Sequence, residues 1–462
     1  MNSASSFDTL PLSAATLANL GALGFNAMTP VQAAALPAAL AGRDLIAQAR
    51  TGSGKTAAFS LPLLQKLNPR WFSPQGLVLC PTRELADQVA REMRKLARGI
   101  PNIKILTLCG GAKIGPQIDS LAHGAHVVVG TPGRLLDHIE RRTLDLRGIS
   151  TLVLDEADRM LDMGFFDDIA DVVRQCPPAR QTLMFSATFP DGVERIAAQF
   201  MREAERIAVD TAHAPRAVDE VFIEIDEAAR LATAVDLLRR VRPVSTLAFC
   251  NTRRRCHDLV QKLGEAGIVA IELVGDMEQR DRDRALLRFA QQSVSVLVAT
   301  DVAARGLDIA GLDAVVSVDL TPDPEVHVHR IGRTGRGDAA GRAYALVAPF
   351  EQVRAQRIAD MRGQPLMWQT LDALGSADPA PLQPPMATVQ ILGGRKEKMR
   401  PGDVLGALTA WAGFTREQIG RIDITDYLTF VAVERSIARA VVLKLDGGMV
   451  KGRYVKVKVV EE

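Results

Sequence analysis

The stretch at residues 49–56 constrains the fold more than any other part of the sequence. It reads ARTGSGKT, follows the apolar run 45–47 and precedes a helical pattern of apolar residues over 57–67. A strand, a glycine-rich turn and a helix in this order aim several backbone N–H groups at one point, which suits a polyphosphate. The pattern therefore predicts a phosphate-binding loop in preference to an ordinary glycine turn before a helix.

The chemistry of the loop residues suggests a role for each. Gly52 and Gly54 let the backbone approach the phosphates. Lys55 can reach the outer phosphate oxygens, and the Thr56 hydroxyl can bind Mg2+. Ala49 stands where the general pattern has its first glycine.

Strand-like apolar runs alternate with amphipathic helical patterns after the loop. The first series lies at 77–80, 105–108, 127–129, 152–154 and 183–185. The pattern stops near 209–220 and restarts with runs at 221–225, 246–249, 269–274, 294–299, 314–318 and 343–347. Such alternation predicts two α/β units, each with a parallel sheet covered on both faces. Ligands of these sheets bind at the carboxyl ends of the strands.

Two carboxylates follow the apolar strand that ends at Leu154. Asp155 is placed to hold Mg2+, and Glu156 is placed to orient or deprotonate an attacking water. A solvated acidic turn is disfavoured because the preceding strand is buried. Ser186 and Thr188 end the next strand and are predicted to be coupled to the same site.

Another series of polar residues also ends strands or opens helices. Backbone N–H groups, hydroxyls and an occasional arginine hold a sugar–phosphate backbone without reading bases. Any one of these segments could be a helix cap, but three at equivalent places indicate a nucleic-acid surface. Its candidates are Arg83, Gly111, Thr131 and Arg134.

The second unit has no glycine-rich phosphate loop. It has the segment 299–308 and an arginine cluster at Arg330, Arg333 and Arg336, separated by glycines. An arginine that reaches the γ-phosphoryl group only when two lobes close is a known switch device. The cluster is therefore predicted to complete a phosphate site, in preference to a solvated basic helix start.

Composition limits the class of protein. A chain of 462 residues with 47% hydrophobic residues has enough apolar material for two to four domains. Five cysteines at scattered spacings are predicted to be buried thiols in a reducing compartment. The start of the chain lacks the pattern of a leader, and no apolar run approaches spanning length, so we expect a soluble cytoplasmic protein.

Over residues 7–363 these motifs resemble, in order and spacing, the DEAD-box ATP-dependent RNA helicases, which have two RecA-like lobes. The resemblance implies ATP and Mg2+ as cofactors and RNA as partner. It implies that Phe7, Phe25 and Gln32 recognise adenine, that Asp308 contacts the ribose, and that Arg333 and Arg336 are arginine fingers. The implied ATP-binding set is Phe25, Gln32, Thr51, Gly52, Ser53, Gly54, Lys55, Thr56 and Asp308. The implied catalytic set is Lys55, Glu156, Arg333 and Arg336, with Thr56 and Asp155 at Mg2+. The second unit would add Gln279, Arg282 and Thr300 to the RNA-binding series.

The remaining sequence predicts a small C-terminal domain. After a proline-rich linker at 374–386, the pattern reads β-α-β-β-α-β, the order of an RRM-like domain. It includes a predicted helix at 404–412 and a last strand at 454–459. The usual base-stacking aromatics are largely missing from the sheet positions, where strand three offers only Phe430.

The C-terminal segment is basic, which is compatible with nucleic acid. Residues 387–462 hold 13 Lys and Arg against 9 Asp and Glu, a net charge of +4 in a chain of net charge +2. In the last predicted strand, period 2 puts Lys456 and Lys458 on one face and valines on the other. The predicted RNA contacts are Arg395, Lys396, Lys398, Arg400, Lys451 and Arg453.

The segments 393–396 and 400–408 resemble the DbpA subgroup of this family. The subgroup implies targeting to a hairpin in the peptidyl-transferase region of large-subunit ribosomal RNA during ribosome assembly. The predicted division is lobe 1 at 1–208, lobe 2 at 209–373, the linker at 374–386 and an RRM-like domain at 387–462.

The predicted mechanism is local, non-processive strand separation by a monomer as the two lobes close on ATP and RNA. A general RNA helicase, an ATP-gated RNA clamp and a DNA translocase remain as alternatives.

Overall fold

The computed structural model describes residues 6–49, 53–186, 188, 191–208, 219–304, 311–334 and 341–460. The described residues up to 208 belong to one unit and those from 219 onward belong to another. No helix in these ranges is long and apolar enough to cross a membrane.

The first unit is built on seven strands. They are β1 Leu45–Gln48, β2 Gly76–Leu79, β3 Ile105–Leu108, β4 Val127–Gly130, β5 Thr151–Asp155, β6 Gln181–Ser186 and β7 Glu205–Ala208. Their order is β3-β4-β2-β5-β6-β1-β7, and all neighbours are parallel. The helices are α1 Ala14–Ala22, α2 Pro30–Leu40, α3 Lys55–Gln65, α4 Arg83–Leu96, α5 Gly115–Ala122, α6 Pro132–Glu140, α7 Ala157–Asp162, α8 Phe166–Arg174 and α9 Asp191–Phe200.

Both faces of this sheet are buried, which explains its continuous apolar strands. Val78 and Val153 belong to the core cluster on one face, whereas Leu77 and Leu152 belong to the cluster on the other. The predicted parallel sheet is therefore confirmed. The prediction did not include β7, an edge strand whose first residues are Glu205 and Arg206.

The second unit contains a six-stranded parallel sheet. Its strands are β8 Asp219–Glu224, β9 Thr246–Phe249, β10 Ala270–Leu273, β11 Val296–Ala299, β12 Ala314–Ser317 and β13 Arg342–Val347, in the order β10-β11-β9-β12-β13-β8. Its helices are α10 Arg230–Val241, α11 Arg253–Glu265, α12 Gln279–Ala290, α13 Asp301–Ala304, α14 Pro324–Ile331 and α15 Gln352–Arg362. This part of the unit is called the second lobe below.

A small antiparallel sheet follows in the same unit and forms the C-terminal domain. Its elements are β14 Met386–Leu392, α16 Pro401–Gly406, β15 Ile419–Ile424, β16 Leu428–Glu434, α17 Ala438–Leu445, β17 Met449–Val450, β18 Arg453–Tyr454 and β19 Val457–Val459. The sheet order is β15-β16-β14-β19, and β17 pairs with β18 as a separate hairpin.

Two predicted elements of this domain need correction. The last strand was expected over 454–459, but Tyr454 belongs to the hairpin and β19 covers only Val457–Val459. The helix expected over 404–412 begins at Pro401 and continues as a π-helix at Ala407–Trp411. The predicted alternation at the end of the chain is present, since Lys456 and Lys458 are exposed and Val455 and Val457 are buried.

The segment predicted as a linker lies along the second lobe. Arg242 pairs with Asp378 at 3.0 Å and donates hydrogen bonds to the carbonyl oxygens of Ala380 and Pro381. Leu382 is buried in the core cluster of the second lobe. These contacts fix the path of the segment, while the division into domains stays a prediction.

Candidate functional site

The start of α3 holds the described half of the phosphate loop. Gly54 has φ of 91°, and α3 begins at Lys55 directly after it. A Cβ at position 54 would lie 2.5 Å from Gln32 Nε2, so glycine is required both by the backbone angle and by this close approach. Ser53 and Thr56 are partly exposed beside it, whereas Thr51 and Gly52 lie outside the described residues.

Lys55 lies between the two predicted acidic residues. Its Nζ atom is 3.2 Å from Asp155 Oδ1 and 3.5 Å from Glu156 Oε1, and all three residues are buried. Burial opposes the lysine charge, but the charges of Asp155 and Glu156 outweigh it and raise the pKa of Lys55 above its ordinary value. The sheet thus brings together Lys55, predicted to bind phosphate, Asp155, predicted to hold Mg2+, and Glu156, predicted to act on the attacking water.

The Asp155 carboxylate suits a hard cation. It is fully buried, and neither oxygen accepts a well-aligned hydrogen bond from the described residues. Burial raises the pKa of Asp155, and the charge of Lys55 opposes that shift. A buried, under-satisfied carboxylate next to a helix that starts with Lys55 and Thr56 fits Mg2+, which uses few protein ligands and completes its shell with phosphates and water. Within the described ranges no cluster of three or more metal-ligating side chains exists.

Glu156 is held in an unusual backbone conformation. Its φ is 54°, which is uncommon for a residue other than glycine and costs free energy, so it persists only where the surrounding structure imposes it. The strained residue connects the end of β5 to the start of α7. This turn places the carboxylate of Glu156 beside Lys55 rather than in solvent.

Of the predicted adenine-recognition residues, Gln32 contacts the phosphate loop. Gln32 Nε2 donates a hydrogen bond to the Gly54 carbonyl oxygen at 3.0 Å, and Gln32 Oε1 accepts one from the Thr29 N–H at 2.9 Å. The Phe7 and Phe25 rings contact each other edge to face at 6.2 Å. Gln32 therefore connects the start of α2 directly to the start of α3.

The predicted coupling residues contact the acidic motif through Asp158. The N–H and the hydroxyl of Thr188 both donate to Asp158 Oδ2 at 3.0 Å. The Ser186 hydroxyl accepts from the Asp158 N–H and donates to the Thr188 carbonyl oxygen. Asp158 is not among the predicted site residues, and the structure makes it the link between β6 and α7.

The predicted RNA series of the first unit forms one group at the ends of its strands. A Cβ at Gly111 would lie 1.5 Å from Arg83 Nη2, so the Arg83 guanidinium packs directly on the Gly111 backbone. Arg134 donates to the Ala112 carbonyl oxygen at 3.1 Å. Thr131 is the residue that precedes α6. Arg83 and Arg134 thus lie in the first turns of α4 and α6, and Gly111 and Thr131 lie in loops.

In the second lobe, Arg330 is a buried member of the predicted arginine cluster. It is 1% exposed and donates two hydrogen bonds to Asp301, one to Asn251 Oδ1 and one to the Asp319 carbonyl oxygen. Arg333 is 8% exposed. Arg336 and Asp308 lie outside the described residues. The sequence predicts Arg330 as one of three arginines that complete a phosphate site, whereas its described hydrogen bonds all go to residues of the second lobe.

The predicted RNA contacts of the second lobe lie on and beside α12. Gln279 begins this helix and donates to Asp283, while Arg282 donates to the Ala303 carbonyl oxygen in α13. Thr300 immediately precedes α13, and its carbonyl oxygen accepts from the Ala304 N–H. Arg282 therefore ties α12 to the segment that carries Thr300.

The basic residues of the C-terminal domain lie on loops that contact one another. The N–H groups of Arg395 and Lys396 donate to carbonyl oxygens of the β15–β16 turn, and the Lys396 ammonium lies over the Tyr427 ring at 5.8 Å. Lys451 Nζ bonds the Lys398 carbonyl oxygen and Asp403. Arg400 precedes α16 and Arg453 begins β18.

The outward face of the small sheet packs on the second lobe. Gln291 Nε2 donates to Asp423 Oδ2 at 3.0 Å and to the Phe430 carbonyl oxygen at 3.2 Å. Thr388 shares a 2.7 Å hydrogen bond with Ser293 and is 1% exposed. This contact covers the part of the RRM base-stacking face around Thr388, whereas Leu392 on the same face is exposed, and the basic loops lie outside the contact.

Two exposed tyrosines accompany the basic loops. Tyr427 is 61% and Tyr454 is 80% exposed. Neither tyrosine is among the predicted RNA contacts, because base-stacking aromatic residues were expected only at sheet positions. Tyr454 could have been predicted from the sequence, since it directly follows the basic residue Arg453.

Comparisons with known proteins agree with this geometry. Three known protein families match the chain: the DEAD/DEAH box helicase family at residues 29–196, the helicase conserved C-terminal domain at 229–338 and the DbpA RNA binding domain at 388–459. The chain is 51% identical over 461 residues to the ATP-dependent RNA helicase DbpA of Escherichia coli, with both chains fully covered. The chain belongs to the DEAD-box RNA helicases, in the DbpA subgroup.

More distant members of the DEAD-box family match the two lobes. The DEAD-box ATP-dependent RNA helicase CshA of Bacillus subtilis is 43% identical over 347 residues, which are 75% of this chain and 70% of that protein. A solved structure of S. cerevisiae Dbp5 bound to RNA and ADP BeF3 has a TM-score of 0.73 at 32% identity and covers 80% of this chain and 96% of that one. The predicted helicase activity, use of ATP and RNA binding are therefore confirmed at the level of the family.

Proposed function

We propose that this DEAD-box helicase separates short RNA duplexes locally, without translocation. In this proposal its C-terminal domain targets it to a hairpin in the peptidyl-transferase region of large-subunit ribosomal RNA during ribosome assembly, and the protein acts as a cytoplasmic monomer. The observation that carries the proposal is the C-terminal domain: residues 388–459 match the DbpA RNA binding domain, and its basic loops are joined by hydrogen bonds into one surface. A preformed basic surface lowers the ordering cost of binding an RNA fold.

For ATP hydrolysis we assign roles to residues of the first unit. Lys55 binds the outer phosphates, Glu156 orients or deprotonates the attacking water, and Asp155 with Thr56 holds Mg2+. Bound Mg2+ supplies neutralisation of the charge on the phosphate oxygens. The contacts that support this assignment are the short distances from Lys55 to both carboxylates.

From the second lobe we assign Arg333 and Arg336 to the γ-phosphate and Asp308 to the ribose. An arginine that stabilises the transferring phosphoryl group contributes on the order of 10³–10⁵ in rate. Binding of ATP and RNA would bring these groups to the nucleotide, and hydrolysis would release the RNA. The support for this step is the family membership and the firm anchoring of Arg330, which lies in the same segment as Arg333.

The test is steady-state ATPase activity with four nucleic acids: none, unstructured RNA, single-stranded DNA and a ribosomal fragment with the peptidyl-transferase hairpin. Each is compared between the natural chain, an Arg395→Glu/Lys396→Glu variant of the exposed loop, and a matched Lys262→Glu control on α11. We expect strong stimulation by the ribosomal fragment that the loop variant loses and the control keeps.

Other outcomes separate the alternatives. Equal stimulation by every RNA, unaffected by the loop variant, would leave a general RNA helicase and remove the ribosomal assignment. Tight RNA binding with an ATP analogue but negligible turnover would indicate an ATP-gated clamp. A duplex-length series tests the local mechanism, because efficient unwinding of long duplexes would contradict it.

A further inference from the structure

Gln117 links two of the loops that carry predicted RNA contacts. It lies on α5, and its Nε2 atom donates to the Cys109 carbonyl oxygen at 3.0 Å. Its Oε1 atom accepts from Arg134 Nη1 at 3.1 Å. Arg134 also donates from both Nη1 and Nη2 to the Ala112 carbonyl oxygen. One amide group and one guanidinium group thus tie the start of α6 to the loop after β3.

A buried histidine completes this network from behind. His138 lies one turn after Arg134 on α6 and is 0% exposed. Its Nε2 atom is 3.0 Å from Gln117 Oε1, and its Nδ1 atom is 2.8 Å from the Thr143 hydroxyl oxygen. Neither His138 nor Gln117 belongs to the ATP site or to the predicted RNA contacts, so the roles assigned above leave both residues unexplained.

The hydrogen-bond partners fix the tautomer of the His138 ring. The Gln117 atom between Arg134 and His138 must be the amide oxygen, because a guanidinium group can only donate. That oxygen accepts from both sides, so His138 Nε2 carries a hydrogen and donates it. Burial and the charge of Arg134 lower the pKa of His138, so at neutral pH the ring is uncharged and Nδ1 accepts from the Thr143 hydroxyl.

The segment that this network holds suits a sugar–phosphate backbone. No described residue accepts a hydrogen bond from the backbone N–H groups of Gly110, Gly111 and Ala112, and the last two residues are exposed. Backbone N–H groups and arginine side chains bind phosphates without reading bases. A loop that side chains already hold loses less entropy on binding RNA than a loop that must first become ordered.

We propose that His138 and Gln117 are positioning residues for RNA binding by the first unit. The His138 Nε2–H orients the Gln117 amide, and the amide in turn holds Arg134 and the segment 109–112. Neither positioning residue touches the RNA itself. The inference rests on the proposed function, in which Gly111 and Arg134 contact the RNA backbone.

The first experiment distinguishes the two nitrogen atoms of the ring. The His138→Gln amide can reach the position of Nε2, whereas the shorter His138→Asn amide reaches only that of Nδ1. ATPase activity of the full chain is measured against the concentration of a single-stranded RNA without the ribosomal hairpin. His138→Asn should raise the half-saturating RNA concentration about tenfold, the scale of one lost hydrogen bond, with the maximal rate largely kept. His138→Gln should restore most of the affinity.

A second histidine provides the matched control. His123 is exposed at the end of α5, outside the network, so His123→Asn should change neither the half-saturating concentration nor the maximal rate. Thermal unfolding shows whether each chain is folded. An unchanged half-saturating concentration in His138→Asn would overturn the proposal. Equal losses in His138→Asn and His138→Gln would also overturn it, because the packing of the ring rather than its Nε2–H bond would then matter.

Two further measurements do not depend on the folding of His138→Asn. Gln117→Leu should raise the half-saturating RNA concentration in the same way, since it removes the middle of the same network. NMR of the histidine ring nitrogens in the natural chain, assigned by comparison with His138→Gln, should show the His138 hydrogen on Nε2. A hydrogen on Nδ1 alone, or normal RNA binding by Gln117→Leu, would contradict the proposed network.

The outcome is separable from ribosomal targeting, because these RNAs lack the ribosomal hairpin and the variants differ from the natural chain only within the first unit. If the natural chain does not prefer the ribosomal fragment, the targeting fails and the comparison of His138→Asn with His138→Gln still decides the positioning role. If the natural chain prefers that fragment but His138→Asn binds single-stranded RNA normally, only the positioning role fails.

Discussion

Lys55 has two roles: it is assigned to bind the phosphates, and its charge balances those of Asp155 and Glu156. Lys55→Ala removes the cation that we assign to the phosphates, so we expect loss of ATPase activity with RNA binding by the C-terminal domain intact. The substitution also leaves Asp155 and Glu156 buried without their counter-charge, and breaking a buried pair costs about 3–5 kcal/mol of folding free energy. Steady-state ATPase assays, RNA affinity and chemical denaturation measure the three effects.

A double-mutant cycle is the control for this prediction. In an Asp155→Asn background one of the two buried carboxylates is already neutral, so Lys55→Ala should cost less stability than in the natural chain. If the cost is the same in both backgrounds, the 3.2 Å contact does not carry the stabilisation. Loss of RNA binding together with ATPase activity would contradict the separation of the two functions.

The buried cysteines give a prediction about pH. Burial raises the pKa of Cys109 and that of Cys176 to about 12, and all five cysteines are buried and free. Below that pH these thiols stay protonated, and only the thiolate reacts with alkylating reagents. We expect iodoacetamide at pH 8 to modify the native protein far more slowly than the urea-unfolded protein, with mass spectrometry as the measurement. Rapid modification of Cys109 in the native protein would contradict the burial of that loop.

At the scale of elements, Arg242 helps to hold the segment between the second lobe and β14. Arg242 contacts Asp378, Ala380 and Pro381, and it does so mainly through backbone carbonyl oxygens. Arg242→Ala should release the segment at a cost of about 1–3 kcal/mol, the range for hydrogen bonds to a charged group. Limited proteolysis should then cut within 376–386 more rapidly. Arg254→Ala, on the exposed side of α11, is the control and should leave the cutting rate unchanged.

The strands were predictable where a repeating apolar pattern determined them. The run 246–249 was located to the residue because both faces of the parallel sheet are buried at this strand. The edge strand β7 was missed because a strand at the edge tolerates charged residues. Its first two residues, Glu205 and Arg206, leave no apolar run long enough to predict a strand. The docking of 378–382 was not predictable, since Arg242 binds carbonyl oxygens that every residue possesses.

The candidate site was predictable where its residues lie at the ends of strands in one parallel sheet. Lys55, Asp155 and Glu156 could be placed because each follows a strand of one parallel sheet, and their carboxyl ends meet. The role of Arg330 could not be read from the sequence, where a buried structural arginine looks the same as an exposed binding arginine. Tyr427 was missed because it lies in the turn between β15 and β16 rather than at a sheet position.

For the whole molecule, the C-terminal domain and the second lobe form one unit joined by hydrogen bonds. Gln291 contacts Asp423 and Phe430, and Ser293 contacts Thr388, so the small sheet shares buried polar contacts with the lobe. The first unit has its own two core clusters. Because cooperative unfolding follows shared buried contacts, the chain should unfold in two main transitions rather than three.

Calorimetry of three chains tests this organisation. Lys55→Ala should lower the midpoint of only one transition, that of the first unit, whereas Arg242→Ala should lower only the other, by about 2–4 °C for each kcal/mol lost. ADP with Mg2+ provides an independent assignment, because a ligand of the first unit raises only the transition that Lys55→Ala lowers. If the Arg242→Ala chain shows a third transition, separate from that of the second lobe, the C-terminal domain unfolds by itself. In that case the hydrogen bonds of Gln291 and Ser293 would be too weak to make the domain and the lobe one cooperative unit.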